Sequence, residues 1–314
     1  MKLLITRPLP APVMTAAGAR FEVTARQSTL PLDGVELRAA LREYDVVLPT
    51  LGDQFSAQVF ADVPAPKAKL LANFGVGFNH IDAKAAAAAG VAVTNTPGAV
   101  TDATADVAMT LMLMTARRAG EGERLLRAGG WQGWHPTQML GAQVSGKTVG
   151  IIGMGRIGKA IARRCHFGFG MTVIYHNRSA VEAGLPARQV PLTEVMAADF
   201  VVVAVPGGPA TRHLINAEAL ALMQPQSIFI NIARGDVVDE AALAAHLQAG
   251  RIAGAGLDVY ENEPRVTPAL LGLENVTLLP HLGTAVLEVR TAMGMMAVAN
   301  LVAYLDGQPL PNPV

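Results

Sequence analysis

The chain has 314 residues, a length that suggests about two domains, and apolar residues make up 51% of its composition. Its 25 Lys and Arg residues balance its 25 Asp and Glu residues, so the charge favours neither a nucleic acid nor a membrane surface as a partner. Its single cysteine, Cys165, excludes an internal disulfide framework. The first residues contain too short an apolar run for a signal peptide, and the longest apolar stretch is too short for a membrane span, so we expect a cytoplasmic protein.

Short apolar runs that are almost free of charge recur along the chain, with helical segments between them. Runs of this kind are typical of strands in parallel sheets that are covered on both faces. Alternation of strands and helices predicts layered α/β domains with right-handed crossovers. Strands are predicted in KLLIT, YDVVLPT, KLLANFG and GVAVTN, and then in TVGIIG, MTVIYH, DFVVVAV, SIFINIA, IAGAGLDV and VTLLP.

Helices are predicted between these strands, and two longer helical patterns stand out. One covers 101–118 and begins with a favourable cap residue, and the other covers 286–306. The segment 119–147 contains Gly and Trp residues and is typical of neither a strand nor a single helix. The shorter helices are expected at RIGKAIARRCHF, LTEVMAA, NAEALALM, DEAALAAHLQAG and the alanine run 85–89.

The segment TVGIIGMGRIGKAIARR contains glycines in the G-x-G-x-x-G spacing, between an apolar strand and an amphipathic helix. In this context Gly153 permits a tight turn, Gly155 lets a pyrophosphate approach the backbone, and Gly158 lets the helix pack on the strand. The amides at the start of the helix then face the phosphates. The pattern therefore predicts a dinucleotide site. Cys165 lies on the apolar face of the same helix and is expected to be a core residue.

The next strand ends in HNRS, at the position where an acidic residue would hold the ribose hydroxyls of NAD. Here Asn177 removes that charge, Arg178 adds a cation that can bind a phosphate, and Ser179 adds a hydroxyl donor. We therefore predict that NADP(H) is preferred over NAD(H). The alternative is that Arg178 is a solvated surface residue.

Three further polar residues follow predicted strands in the second half of the chain. Arg234 follows SIFINIA, Glu263 lies in GLDVYENEP, and His281 lies in LLPHLGTA. The carboxyl ends of parallel strands converge on one crevice, where these side chains can meet. Singly, each of them can equally be an ordinary loop or capping residue. The remaining histidines lack the spacing of metal ligands, so no metal site is expected.

The segments GIIGMGRIG, NIARGDVVDEAAL, GAGLDVYENEP and LPHLGTA occur in an order that resembles the D-isomer-specific 2-hydroxyacid dehydrogenase family over nearly the whole chain. The resemblance implies two doubly wound, Rossmann-like parallel-sheet domains. It places a discontinuous substrate domain at 1–100 and 286–314, and the dinucleotide-binding domain at 101–285. It also implies that Arg234, Glu263 and His281 are catalytic, with His281 as the general acid.

The resemblance implies further contacts for the cofactor and the substrate. The loop NFGVGFNHID matches the one whose backbone amides bind the substrate carboxylate, and Asp258 matches a residue at the nicotinamide end of the cofactor. The expected substrate contacts are Leu51, Val76, Gly77, Trp134, Arg234 and His281. The expected cofactor contacts are Thr104, Gly153, Gly155, Arg156, Ile157, Gly158, Asn177, Arg178, Ser179, Val205, Pro206, Thr211, Ile232, Ala233, Arg234, Asp258, His281 and Gly283.

Within the family, the segments GVAVTNTPGAVTDATADVAMTLML and GGWQGWHPTQMLG are most similar to the glyoxylate and hydroxypyruvate reductase branch. Glyoxylate and hydroxypyruvate are therefore the first expected substrates, with glycolate and D-glycerate as products. Larger 2-oxo acids, such as phenylpyruvates or 2-ketogluconate, are the alternative, because apolar pockets discriminate poorly between similar side chains. Leu51, Phe74, Phe78 and Met139 are compatible with either pocket size.

The resemblance also implies a homodimer in which Trp134 reaches the active site of the neighbouring subunit. The alternative for Trp131 and Trp134 is packing in a dimer interface without substrate contact. A non-catalytic, nicotinamide-binding regulator is the alternative from another functional class. The complete set of Arg, Glu and His argues against it, because a binding module needs no general acid.

Overall fold

The charge-free runs form two parallel sheets in the computed structural model, which describes residues 1–314. The chain divides into two compact units, one formed by Met1–Val100 with Thr284–Val314 and the other by Thr101–Gly283. Each of the ten predicted strands is present, and every pairing between named strands is parallel. The predicted fold class, two doubly wound parallel-sheet domains, is therefore confirmed.

The first unit contains a five-stranded sheet in the order β2-β1-β3-β4-β5. Alternate residues along its strands face opposite sides, so Leu4, Val47 and Leu71 pack in one core, while Ile5 and Leu48 pack in the other. Its strands are β1 (Lys2–Ile5), β2 (Glu22–Ala25), β3 (Val46–Leu48), β4 (Leu70–Ala72) and β5 (Ala92–Thr94). Its helices are α1 (Ala11–Gly18), α2 (Gly34–Glu43), α3 (Ala57–Ala61), α4 (Ala83–Ala88) and α12 (Leu287–Leu305).

The helix α12 belongs to the first unit because it packs on α1. Gly294 permits this close approach, since a Cβ atom there would lie 2.4 Å from Cγ2 of Val13. Ala297, Val298 and Leu301 extend the same apolar contact into the core. The C-terminal segment of the chain therefore completes the core of the N-terminal unit, which makes that unit discontinuous in sequence.

The second unit contains a seven-stranded sheet in the order β12-β11-β10-β9-β6-β7-β8. The strand order reverses direction at β6, where β7 lies on one side and β9 on the other, and such a reversal is where doubly wound sheets bind ligands. Its strands are β6 (Thr148–Ile152), β7 (Thr172–His176), β8 (Ala187–Gln189), β9 (Phe200–Val203), β10 (Ile228–Asn231), β11 (Gly254–Leu257) and β12 (Val276–Leu278). Its helices are α5 (Thr101–Ala116), α6 (Ala119–Arg127), α7 (Arg156–Arg163), α8 (Leu192–Met196), α9 (Ala217–Leu220), α10 (Glu240–Gln248) and α11 (Pro268–Leu271).

Two apolar clusters cover the two faces of the seven-stranded sheet. Phe200 and Val202 point into one of them, and their neighbours Val201 and Val203 point into the other. Each side chain of this size that is removed from water contributes about 1.5–3 kcal/mol to stability. Burial on both faces explains why these strands read as continuous apolar runs in the sequence.

Several elements were not anticipated individually from the sequence, namely the helices α1, α2, α3, α6 and α11 and the strands β2 and β8. The strands β2 and β8 lie at sheet edges and carry exposed polar residues such as Glu22 and Arg188, so they lack the apolar signature of the central strands. The helix α6 forms the first part of the segment 119–147, for which the sequence predicted neither a strand nor a single helix. Two glycines weaken its helical pattern, whereas an ion pair between Glu123 and Arg127, four residues apart, supports it. No helix in the structure is both long enough and apolar enough to cross a membrane.

Candidate active site

The glycine-rich loop between β6 and α7 has the geometry of a phosphate cradle. Gly153 has a φ of +100°, which other residues rarely adopt, and a Cβ atom there would lie 2.8 Å from the Ala204 carbonyl group. A Cβ atom at Gly158 would lie 2.0 Å from the carbonyl oxygen of Gly153, so the helix packs directly on the loop. By contrast, apart from its chain neighbours no protein atom lies within 4 Å of the Cβ position at Gly155, which leaves its backbone open to a ligand.

The start of α7 offers uncapped amides at this opening. Gly155 is the N-cap residue, and no side chain accepts a hydrogen bond from the first turn. Arg156 begins the helix as an exposed cation without an ion pair, and Ile157 and Gly158 continue the turn. Unpaired amides and the positive end of the helix dipole attract anions, so these residues fit the pyrophosphate of a dinucleotide.

The polar tip after β7 lies beside this cradle. The side-chain oxygen of Asn177 accepts a hydrogen bond from the Met154 amide at 3.2 Å, and its amide nitrogen donates to the Ser179 carbonyl at 2.9 Å. Asn177 therefore ties the tip to the phosphate loop. Arg178 and Ser179 are both exposed, and the Arg178 guanidinium forms no ion pair within the chain. The nearby Arg188 differs, because Glu194 already pairs with it.

The carboxyl ends of the next two strands on this side of β6 carry further expected cofactor contacts. Val205 and Pro206 follow β9, and the Thr211 hydroxyl donates to the Pro206 carbonyl at 2.8 Å, which closes the turn after that strand. Ile232 and Ala233 follow β10 and are both buried. All of these residues lie along the edge of the sheet on which the phosphate cradle opens.

His281 and Glu263 form a hydrogen-bonded pair after β12 and β11. The distance between His281 Nδ1 and Glu263 Oε2 is 2.8 Å, and the Tyr260 amide donates to the other carboxylate oxygen at 3.0 Å. Burial disfavours the charged carboxylate, but His281, the Tyr260 amide and Arg234 together outweigh it, so the pKa of Glu263 lies below its ordinary value. Glu263 is therefore a charged acceptor that fixes the orientation of the imidazole.

The backbone of His281 has a φ of +53°, a left-handed conformation that costs a histidine about 1 kcal/mol or more. Asp258 holds this conformation, because its carbonyl accepts from the His281 amide at 3.0 Å and its carboxylate from the amides of Leu282 at 2.6 Å and Gly283 at 2.8 Å. Burial raises the pKa of Asp258, and these amides only partly oppose the effect. The Thr104 hydroxyl donates to the Gly283 carbonyl at 3.1 Å and so ties α5 to the same loop.

Arg234 follows β10 at the same edge of the sheet. Its Nη1 donates to the Ala233 carbonyl at 2.7 Å, and the remaining N–H groups of the guanidinium have no hydrogen-bond partner in the chain. Burial lowers the pKa of Arg234, and attraction to Glu263 and Asp236 opposes that effect. An arginine side chain stays protonated in proteins, so Arg234 is a cation. Its charge attracts the Glu263 carboxylate, which is also the hydrogen-bond partner of His281.

The other expected substrate residues are in different segments of the chain. Leu51 follows β3, and Val76 and Gly77 lie in the loop after β4, so all three are at the carboxyl edge of the sheet in the first unit. Trp134 lies in the irregular segment after α6 with 79% of its surface exposed. Trp131 and Leu126 are exposed near it, around an open recess of about 210 Å³ lined by Leu125 and Met139 among others.

The structure adds supporting residues that the sequence did not single out. Tyr260 positions Glu263 through its backbone amide, and two asparagines, Asn73 and Asn95, donate to carbonyls in the Val76 loop. The only sequence feature that could have indicated Asn73 and Asn95 is that each directly follows an apolar strand. Cys165 is fully buried, and burial raises the pKa of its thiol to about 12, as expected of a core residue. No group of three or more His, Cys, Asp or Glu side chains is arranged to hold a metal ion.

A glycine cradle on a doubly wound sheet, with a hydrogen-bonded His–Glu pair and an Arg at the same edge, defines a nicotinamide-dependent oxidoreductase. Residues 109–283 match the model of the D-isomer specific 2-hydroxyacid dehydrogenase family, NAD binding domain. The chain is 43% identical to a glyoxylate reductase of Thermococcus onnurineus and 41% identical to one of Pyrococcus furiosus, covering 99% of this chain and 95% and 94% of those proteins. The chain therefore belongs to the D-isomer-specific 2-hydroxyacid dehydrogenase family, and it is an NAD(P)-dependent dehydrogenase of that class.

Solved structures agree with this assignment. The TT0316 protein of Thermus thermophilus superimposes with a TM-score of 0.93 at 39% identity, over the whole of both chains. An NADPH-dependent glyoxylate/hydroxypyruvate reductase of Sinorhizobium meliloti, solved with NADP and malonate, has a TM-score of 0.88 at 38% identity and covers 100% of this chain and 96% of its own. The likeness extends over both units of the chain.

Proposed function

We propose that this protein reduces small 2-oxo acids, glyoxylate and hydroxypyruvate first, to glycolate and D-glycerate, with His281 as the general acid. The observation that carries the proposal is the 2.8 Å contact between His281 Nδ1 and Glu263 Oε2, on the sheet edge where the glycine cradle opens. Relatives named glyoxylate reductase, at 41–43% identity over nearly the whole chain, support the choice of substrate class.

The His–Glu pair determines which nitrogen exchanges the proton. Nδ1–H donates to the Glu263 carboxylate, so Nε2 is the nitrogen left to face a substrate. During reduction the imidazolium form donates its Nε2 proton to the ketone oxygen. In the reverse direction the neutral imidazole accepts the hydroxyl proton at the same atom.

Arg234 and the Val76 loop supply the contacts for the rest of the substrate. The free edge of the Arg234 guanidinium binds a carboxylate or polarises a carbonyl through its planar donor pair. We assign the substrate carboxylate also to the Val76 and Gly77 amides, which makes the discontinuous first unit the substrate domain and the second unit the dinucleotide-binding domain. A bound nicotinamide would supply the hydride, and the residues of the cradle would hold its pyrophosphate.

The cofactor is proposed to be NADP(H) rather than NAD(H). Asn177 carries no charge to repel a 2′-phosphate, and Arg178 is an exposed guanidinium without an ion pair. A charge-assisted hydrogen bond contributes about 1.5–3 kcal/mol, which corresponds to roughly 10- to 100-fold in affinity. The Sinorhizobium meliloti relative, described as NADPH-dependent, supports this assignment.

Arg178→Ala tests the cofactor assignment. We expect the KM for NADPH to rise about 10- to 100-fold while the KM for NADH stays within about twofold, because only NADPH carries the 2′-phosphate. Arg188→Ala is the matched control, since Arg188 is exposed nearby but already paired with Glu194. A wild-type enzyme with higher kcat/KM for NADH than for NADPH would refute the assignment.

His281→Gln tests the reaction itself. Oxidation of NADPH is followed with glyoxylate, hydroxypyruvate, phenylpyruvate and 2-ketogluconate, and loss of the general acid is expected to lower kcat about 100-fold or more. His213→Gln is the matched control, because His213 also pairs with a glutamate, Glu261, at 2.7 Å. Near wild-type rates in His281→Gln would contradict the mechanism. A wild-type protein that oxidises neither cofactor with any of these acids would instead favour a nicotinamide-binding regulator.

We also propose that the protein forms a homodimer through the segment after α6. Leu126 at the end of α6 is 60% exposed, and Trp131 and Trp134 in the segment after it are 52% and 79% exposed, so this part of the chain leaves apolar surface uncovered. Clustered exposed aromatic side chains are typical of protein interfaces. In such a dimer Trp134 is the side chain we assign to the neighbouring subunit's substrate pocket.

A further inference from the structure

The loop after β4 has an unusual hydrogen-bond pattern, in which three successive carbonyl groups are bound by side chains of the same unit. Asn73 Nδ2 donates to the carbonyls of Gly75 at 3.1 Å and Gly77 at 3.0 Å. Asn95 Nδ2 donates to the carbonyl of Val76, which lies between them, at 2.9 Å. The Thr96 amide adds a second bond to the Gly75 carbonyl, at 3.0 Å.

The direction of these carbonyls determines the direction of the amides. In a trans peptide the C=O of one residue and the N–H of the next point to opposite sides of the same plane. The N–H groups of Val76 and Phe78 therefore point away from Asn73, which binds the preceding carbonyls, and the N–H group of Gly77 points away from Asn95. None of these three N–H groups donates to an acceptor in the chain, and all three residues are half-exposed.

Both asparagines are themselves rigidly held. Asn73 directly follows β4, is 1% exposed, and accepts a hydrogen bond on Oδ1 from His80 Nε2 at 3.0 Å. The two carbonyls identify the nitrogen of the Asn73 amide, since only the nitrogen can donate to them, and the oxygen is therefore the atom that faces His80. Asn95 directly follows β5, and its backbone amide donates to the Asn312 carbonyl at 3.1 Å.

We propose that Asn73 and Asn95 are positioning residues that aim the amides of Val76, Gly77 and Phe78 at the substrate carboxylate. Successive N–H groups that point to one side form a concave anion site, and rigid support avoids the cost of ordering the loop when the anion binds. Neither asparagine touches the substrate in this arrangement. The inference rests on the proposed function, because it assigns the carboxylate of the 2-oxo acid to this loop.

Asn95→Asp and Asn95→Ala separate aiming from packing. Aspartate keeps the size of asparagine but cannot donate to the Val76 carbonyl, so we expect both variants to raise the KM for glyoxylate about 10- to 100-fold. We expect kcat and the Kd for NADPH to stay within about twofold, because the amides bind the carboxylate in ground and transition states alike. Asn73→Ser provides a second variant at the more buried position. Asn79→Ala is the matched control, since Asn79 is in the same loop but exposed and without side-chain hydrogen bonds.

A second readout does not depend on catalysis. Oxamate, a carboxylate analogue of glyoxylate, is titrated into the NADPH complex while the amide resonances of Val76 and Gly77 are followed by NMR. We expect these resonances to shift in the wild type and in Asn79→Ala, and to need much higher oxamate concentrations in Asn95→Asp. The inference would be overturned if Asn95→Asp had the wild-type KM and the wild-type response to oxamate. It would also be overturned if oxamate did not shift the Val76 and Gly77 amide resonances of the wild type. A wild type that reduces no 2-oxo acid but binds oxamate at these amides would instead defeat only the proposed function.

Discussion

The two glycines Gly155 and Gly158 lie three residues apart in the phosphate loop, yet alanine is expected to harm different properties at each. At Gly158 the added Cβ atom would lie 2.0 Å from the Gly153 carbonyl oxygen, which is a backbone atom and cannot rotate away. To restore an ordinary contact, the helix α7 must move away from β6 by roughly 1 Å or more. Overpacking of this kind lowers the free energy of unfolding by about 1–3 kcal/mol. At Gly155 no protein atom other than those of its chain neighbours lies within 4 Å of the added Cβ atom.

We expect Gly158→Ala to lower the Tm by roughly 2–12 °C, on the scale of about 2–4 °C per kcal/mol for domains of this size. Gly155→Ala is expected to cost at most about 1 kcal/mol, the difference between the two residues at an N-cap. Its methyl group instead occupies the space through which a pyrophosphate approaches, so NADPH affinity is expected to fall at least about 10-fold.

Thermal unfolding without cofactor measures the first effect, and NADPH fluorescence titration measures the second. The two variants serve as controls for each other, because they make the same chemical change in the same loop. Gly155→Ala with wild-type NADPH affinity would show that the cofactor does not approach the backbone there. Gly158→Ala with an unchanged Tm would refute the argument from close packing.

Three further predictions follow from the described contacts. Glu263→Gln removes the carboxylate that accepts the hydrogen bond from His281 Nδ1, so we expect kcat to fall at least about 10-fold while the Kd for NADPH stays within about twofold. The pKa of Glu263 is lowered in the folded protein, so ionised Glu263 stabilises the fold above the ordinary carboxyl pKa of 4.5, and this stabilisation is lost as the pH falls through the folded pKa. The Tm difference between the wild type and Glu263→Gln should therefore shrink in acid, and a constant difference would contradict this. For the proposed homodimer, we expect Leu126→Glu to be a monomer in light scattering, whereas Leu30→Glu, which is 70% exposed in the other unit against 60% for Leu126, keeps the mass of the wild type. A monomeric wild type, or an unchanged dimer mass for Leu126→Glu, rejects the interface. Cys165 resists alkylation in the folded protein and reacts only in denaturant, as mass spectrometry would detect, and rapid native labelling would exclude its burial.

The sequence by itself determined the fold class and the phosphate loop, because both have strong local signals. Strands such as Phe200–Val203 are buried on both faces, so consecutive residues must all be apolar, and this pattern is visible in the sequence. The glycines at 153, 155 and 158 are needed for local backbone reasons, and their spacing is visible without any tertiary contact. Family membership, now shown by the comparisons, was also readable from motifs in fixed order.

Only the tertiary structure decided what lies against what. His281 and Glu263 are 18 residues apart in sequence and touch because β11 and β12 end side by side, while Asp258 holds His281 in its left-handed conformation from a third position. Edge strand β8 and helix α6 were missed because half-exposed elements tolerate polar residues and glycine, which blurs their periodicity. The carbonyls of Gly75, Val76 and Gly77 are bound by Asn73 and Asn95, which follow the paired strands β4 and β5. Local sequence specifies which conformation each segment prefers, but hydrogen bonds between strand ends exist only after the sheets have formed.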